Sequence, residues 1–354
     1  MDRLGEIEHK HRQLAELLEA RRAASLLLRR TRNIAWITAG ADASIPVDTE
    51  FGVYSILITP EKRTIVVNTI EHPRLEAEER LQDFGFDYAV SPWHAPETPE
   101  AALVDDGEIE DALQQLRWVL TPSEQERLRA LGRDAAAALE ETVAGLRPGE
   151  SERQIAARLD AACRARGGQA VVNLIATDER IARFRHPLIT DKRLERYAMV
   201  VVCMRRHGLI VSATRLAHFG AIPADVREKV RRVAAVDAAV IAASRPGRTL
   251  GGIFAELQAA YAAHGEADQW HYHHQGGLAG YQARERIATP GDNTPLQLHQ
   301  VVAWNPSIVG AKSEDTVLLT EAGPEIVTAS SGAWPKLTFT IDGQTIERSD
   351  VREL

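Results

Sequence analysis

Residues 147–167 and 245–265 align without a gap at an offset of 98 residues and share ten of 21 positions: the leading Arg-Pro-Gly, an Ile, a Leu, four Ala and the closing Gly. A segment that recurs only once marks a duplicated unit; a solenoid needs more copies to bury its faces. In the first copy Ser151 and Gln154 have the spacing of a capping box, which opens a helix carrying Ile155 and Leu159, and Gly167-Gly168 closes it. Two duplicated helix pairs, each followed by strands, imply a pseudo-symmetric α/β unit with a pocket between its halves.

At 354 residues the chain is long enough for two domains, and 44% hydrophobic with 26% charged residues is the profile of a folded, globular protein. Net charge is −8, with Lys and Arg scattered among the acids, so no basic stripe exists to neutralise phosphates. Nucleic acid is therefore excluded as a partner and a small molecule is expected. The polar start Met1-Asp2-Arg3-Leu4-Gly5-Glu6 lacks the apolar run of a secretory signal, and strings such as Met199 to Met204 are too short to span a bilayer. A cytoplasmic protein with no membrane association is the expectation. Cys163 and Cys203 are the only cysteines, too few for a disulfide framework or a cysteine-rich zinc module, and Cys163 reads as a small buried residue on a helix.

Residues 1–118 alternate helical and strand patterns. A charged amphipathic segment, Leu4 to Arg22, precedes the apolar runs Ala24–Leu28 and Asn33–Ile37; Tyr54–Ile58 and Thr64–Val67 then flank the turn Pro60-Glu61-Lys62. This predicts an α/β domain on a small mixed sheet. A new domain, 119–354, is announced by Thr121-Pro122-Ser123-Glu124, where the cap, the first-turn proline and the Glu satisfy a helix start. Its apolar stripe runs Leu128, Leu131, Ala135, Leu139, Val143. Near the end, Lys336–Ile341 alternates as a strand and Asp342-Gly343 reads as a turn.

Four ordered motifs carry chemistry: Phe184-Arg185-His186-Pro187; Val211-Ser212-Ala213-Thr214-Arg215; His274-Gln275-Gly276-Gly277-Leu278; and Trp304-Asn305-Pro306-Ser307 through Glu314-Asp315-Thr316. Together, over residues 120 to 330, they resemble the creatinase/prolidase/methionine aminopeptidase family. The resemblance implies an N-terminal creatinase-like α/β domain followed by a pita-bread catalytic domain, an α/β (α+β) fold. In that family the last motif carries a Glu-Pro pair and a Glu-Asp-Thr. Here Asn305 replaces the first Glu, while Glu314 is retained. The final Asp of the family's hairpin motif falls on Ser212, and its first Asp on Val201 or, if the turn length differs, on Cys203.

The family's two divalent ions are held by four carboxylates and one imidazole, and position by position only His274 and Glu314 remain. Two dications against one negative charge would be left largely uncompensated, so neither a metal nor another cofactor is expected. A rescue by His271, His273 and His274 meets a geometric objection: if this stretch is extended, Tyr272 and His274 share one face while His271 and His273 point away. The resemblance to creatinase, the family's metal-independent member, instead implies a C–N hydrolase of a small polar metabolite. In that reading His186 moves the proton, with His274 and Glu314 as further catalytic groups. Asn305, Arg215, Ser212, Tyr281 and Cys203 line the substrate pocket, Arg215 being alternatively a buried partner of Glu314 or Asp315. A flap role without proton transfer for His186 and a plain apolar role for Cys203 are the competing assignments. Tyr281 and Gln282 stand where the family's peptidases carry a His-Glu pair. An Xaa-Pro dipeptidase with an altered metal site and a non-catalytic binding protein are the other functions considered. The resemblance also implies a homodimer in which residues near Trp36 to Asp48 close the neighbour's pocket.

Overall fold

The computed structural model describes all 354 residues, which separate into two compact units: Met1–Glu126 with His207–Leu209, and Arg127–Arg206 with Ile210–Leu354. The first unit is built on strands β1 (Leu26–Arg30), β2 (Phe51–Ile58), β3 (Arg63–Asn68), β4 (Asp87–Ser91) and β5 (Leu103–Val104), ordered β4-β3-β2-β1-β5. The predicted mixed character holds, since β1–β2 and β2–β3 pair antiparallel while β3–β4 and β1–β5 are parallel. Alternation decides what faces inward: Tyr54, Ile56 and Ile58 are buried and the residues between them are not. The run Asn33–Ile37, in contrast, lies in a short helix, Thr31–Ile37. The charged segment at the start forms the helix Arg3–Arg21, which buries Ile7, Leu14 and Leu18 and takes Lys10 inside between Glu6 and Glu124, each at 2.6 Å.

The second unit holds β6 (Gln169–Thr177), β7 (Tyr197–Arg206), β8 (Leu209–His218), β9 (Gly276–Ala279), β10 (Arg286–Ile287), β11 (Val301–Trp304), β12 (Ser307–Ile308), β13 (Ala311–Lys312), β14 (Asp315–Thr320) and β15 (Gly323–Ile326), then β16 (Lys336–Ile341), β17 (Gln344–Ser349) and β18 (Arg352–Glu353). Two sheets dominate, ordered β18-β8-β7-β6 and β10-β9-β11-β14-β15. The strands β16 and β17 form the hairpin expected around Asp342-Gly343.

The duplication is visible in the backbone. Helices Glu152–Ala165 and Leu250–Ala263 stand at the same offset as their sequences, each capped by a hydroxyl, Ser151 on the N–H of Gln154 and Thr249 on that of Gly252. Before each cap a left-handed glycine, Gly149 and Gly247, donates its N–H to a leucine carbonyl, Leu194 at 2.7 Å and Leu296 at 2.8 Å. The longer helices Pro122–Ala144 and Ala224–Ala243 precede them. The capping pair at Thr121 also forms, with Glu124 accepting from the Thr121 N–H at 2.8 Å. This arrangement is the pseudo-symmetric pita-bread architecture.

A buried ionic lattice holds the second unit behind its active face. Arg348 joins Asp237 at 2.5 Å and Asp315 at 2.7 Å, and Arg215 joins Asp315 at 3.1 Å, all four side chains being essentially inaccessible. Burying so many charges is tolerable because every carboxylate finds a guanidinium. No helix of the chain is long and apolar enough to cross a membrane.

Candidate active site

The hairpin of β7 and β8 turns at His207-Gly208, where both residues adopt positive φ, the conformation a two-residue turn needs to follow strand twist. That tight turn puts Cys203 opposite Ser212, with Sγ and Oγ 3.2 Å apart. Of the two sequence candidates for the hairpin's first acid position, Cys203 is therefore the one that meets Ser212. Burial pushes its thiol pKa up, so it is held as a neutral SH.

Across from this hairpin, Thr316 Oγ1 accepts from the Ser212 N–H at 2.7 Å and donates to the Ser212 carbonyl at 3.0 Å. The period of two then puts Glu314 beside Thr316 and Asp315 on the far face. Thr214 Oγ1 donates to Glu314 Oε2 at 2.7 Å, while Arg215 next to it points with Asp315 into the buried lattice. The expectation that Arg215 binds a substrate carboxylate is thus overturned: its guanidinium is consumed by Asp315 and by the carbonyls of Thr214 and Thr328.

Glu314 has two further partners that the motifs did not point to. Lys312 Nζ lies 2.7 Å from Oε2 and Arg284 Nη2 lies 3.0 Å from Oε1, while Arg284 Nη1 donates to Ser212 Oγ at 3.2 Å. Burial alone would raise the Glu314 pKa, but Lys312 and Arg284 outweigh it and bring the carboxyl down to about 2. The retained acid is a permanently charged bridge between two cations.

The third group is imidazole. Gln269–Tyr272 is a turn of 3-10 helix, and strand β9 begins only at Gly276, so the alternation expected of Trp270–Gln275 does not exist. His271 stacks on Trp270 and leaves the site. His273 and His274, expected on opposite faces, instead bring their rings to 4.7 Å and meet His186. His273 Nε2 and His186 Nε2 are 3.0 Å apart, and His273 Nδ1 is 3.3 Å from Ser307 Oγ. Ser307 is fixed in turn, its N–H donating to Tyr261 Oη, which donates to Gln275 Oε1 at 2.8 Å. Arg185 anchors the His186 segment through the Ile308 carbonyl and Gln269 Oε1.

All three histidines are pushed toward the neutral form. Burial is the main cause, with Lys312 next for His273 and His186 and Arg284 next for His274; His273 falls to about 2 and His274 to about 4. Glu314 acts in the opposite sense on each imidazole, which makes the ion-paired group and the histidines one electrostatic site. Strand β9 carries no side chain at Gly276 because a Cβ there would meet the Ala303 carbonyl at 2.1 Å, and in this close approach Gly276 pairs with Trp304. Asn305 is buried; its N–H donates to the Gln275 carbonyl, and its Oδ1 has no partner. Tyr281 is buried between β9 and β10, with its N–H on Glu285 Oε1 at 3.1 Å. Lys312 had a legible signal, since it precedes Glu314 by the two residues that put strand neighbours on one face; Arg284 and Ser307 had none.

At the five positions that the family resemblance assigns to metal ligands stand Cys203, Ser212, His274, Asn305 and Glu314. One carboxylate, already paired with two internal cations, does not fit a pair of divalent ions. The fold is that of the pita-bread proteins, and its site joins an ion-pair network around Glu314 to a histidine cluster. Residues 126–321 match the model of metallopeptidase family M24, and the chain belongs to that family. It is similar to an Xaa-Pro dipeptidase of Pyrococcus furiosus, 27% identical over 234 residues that cover 62% of this chain and 66% of that relative, just under two thirds of its length. Among solved structures it is similar to the prolidase from Pyrococcus horikoshii, with a TM-score of 0.74 and 19% identity over 91% of this chain and 99% of that one. The dipeptidase PepE from Mycobacterium ulcerans gives a TM-score of 0.74 and 20% identity, covering 99% of both chains.

Proposed function

We propose that this chain hydrolyses the C–N bond of a small Xaa-Pro-type substrate with its histidine cluster, without the family's two-metal centre. Family membership and the Xaa-Pro dipeptidase relative support the reaction class. The observation that carries the departure from the family is the arrangement of Glu314 between Lys312 and Arg284, beside the His186 and His273 pair. His186 is exposed while His273 and Ser307 behind it are buried, so the cluster presents one ring to substrate and holds it from behind. Water adds its oxygen to the carbonyl carbon and gives a proton to the cluster; the C–N bond then breaks as that proton passes to the leaving nitrogen. Lys312 and Arg284, fixed by Glu314, face the negative charge that develops on the carbonyl oxygen, and such preorganised charges are worth several kcal/mol where water is excluded. The free Oδ1 of Asn305 accepts from a substrate N–H.

A metal-independent hydrolase of a small polar metabolite is the second reading, favoured by the hydrogen bond that already joins His186 to His273. There His186 is the acid/base itself. Proline release from a panel of Xaa-Pro dipeptides separates the two. The leading proposal expects turnover that His186→Ala lowers by about 10²- to 10⁴-fold. Consumption of amidine or urea-like metabolites with no proline released would favour the second reading, and ligand binding without any turnover would leave a binding protein.

A further inference from the structure

We infer that His186, His273 and His274 form a mononuclear site for a transition-metal dication of the zinc or cobalt type, built from residues other than the family's carboxylate set. One ring nitrogen from each histidine can be chosen so that all three lie within 4.8 Å of one another. A tetrahedral zinc with Zn–N bonds of about 2.0–2.1 Å needs N···N separations of roughly 3.3 Å, so the widest of the three separations, at most 4.8 Å, has to close by about 1.5 Å. Two of the three nitrogens, on His186 and His273, already stand 3.0 Å apart.

Independent features point to a ligand there. The Nδ1 of His274 is buried with no hydrogen-bond partner, which is costly for a ring nitrogen unless something occupies it. His273 has its outer nitrogen on Ser307 Oγ at 3.3 Å, the backing contact by which metal-bound imidazoles are oriented, while its Nε2 faces inward onto His186 Nε2, a contact that an ion between the two rings would replace. Three protein ligands leave the fourth position open on the exposed side of His186 for water or a substrate oxygen. Lys312 and Arg284 oppose any dication and Glu314 offsets one of them, while three imidazole donors without a carboxylate favour metals of the zinc and cobalt type over hard, oxygen-seeking ions.

This centre rests on the preceding proposal for its reaction class and would bind the attacking water, whose proton would pass directly to the leaving nitrogen because coordinated rings cannot take it; its existence is measured without turnover. Tag-free protein is dialysed against chelator and titrated with Co²⁺ and Zn²⁺ by calorimetry and visible absorption. The expected result is one equivalent per chain, with the intense d–d bands of tetrahedral Co²⁺. His186→Ala, a substitution on an exposed segment, should abolish those bands while thermal unfolding stays cooperative. Ser307→Ala should weaken binding by about 10- to 100-fold. Absence of saturable binding overturns the site whatever the activity, as does binding that His186→Ala leaves unchanged. One bound Co²⁺ without Xaa-Pro cleavage supports the site and overturns the proposed reaction instead.

Discussion

Glu314 is held between two internal cations, Lys312 and Arg284. In an acid cluster awaiting cations, neutralising one carboxylate relieves repulsion and stabilises the metal-free protein. Here the neighbours are Lys312 and Arg284, so Glu314→Gln leaves two buried cations without their counter-charge. The variant is expected to lose about 3–5 kcal/mol of stability in chemical denaturation, the range found when one partner of a buried ion pair is removed. The pH dependence has a definite sign. The folded-state pKa of Glu314 is depressed from the ordinary 4.5 to about 2, so its contribution is fully present above 4.5 and is lost as pH falls from there toward 2. Denaturant midpoints measured across that window should drop in the parent chain and stay flatter in Glu314→Gln. The same residue shows what was legible. Alternation through Lys312, Glu314 and Thr316 was readable in the string of letters, and so was the opposite facing of Thr214 and Arg215, which would have assigned Arg215 to Asp315. Arg284 was not readable, because a loop of irregular backbone delivers it.

Secondary-structure elements divide in the same way. Capping pairs are local chemistry, and Ser151-Gln154 and Thr121-Glu124 form as their spacing predicts. The two copies of the duplicated helix differ at this point, since Ser151 has Gln154 reaching back to it whereas Thr249 faces Gly252, which has no side chain to do so. Ser151→Ala and Thr249→Ala are each expected to cost about 1 kcal/mol, the first more than the second, measured by urea midpoints. The histidine stretch failed for a physical reason: its assumed alternation belongs to a strand, and a single turn of 3-10 helix before Gly276 rotates His273 into the company of His274. Such a turn is set by packing beneath Trp270 and leaves no periodic trace. The glycine pair that follows does leave one. Gly276→Ala would press a methyl group into the Ala303 carbonyl, and a loss of at least about 1–3 kcal/mol is expected by thermal unfolding.

At the scale of the whole molecule the duplication was the most reliable guide, because an offset in sequence became the same offset between capped helices. The homodimer implied by the family resemblance is a matter for measurement: light scattering should give twice the chain mass of 39.0 kDa, and a single-chain mass at micromolar concentration would remove it. The lysine and arginine that bracket Glu314 also determine how this protein could be turned back. Placing acids at Cys203, Ser212 and Asn305 would return the carboxylate count to four, yet two of those charges would be answered from within by Lys312 and Arg284. Installing the family's four-carboxylate set would therefore mean replacing Lys312 and Arg284 as well as adding three acids, at least five substitutions in all.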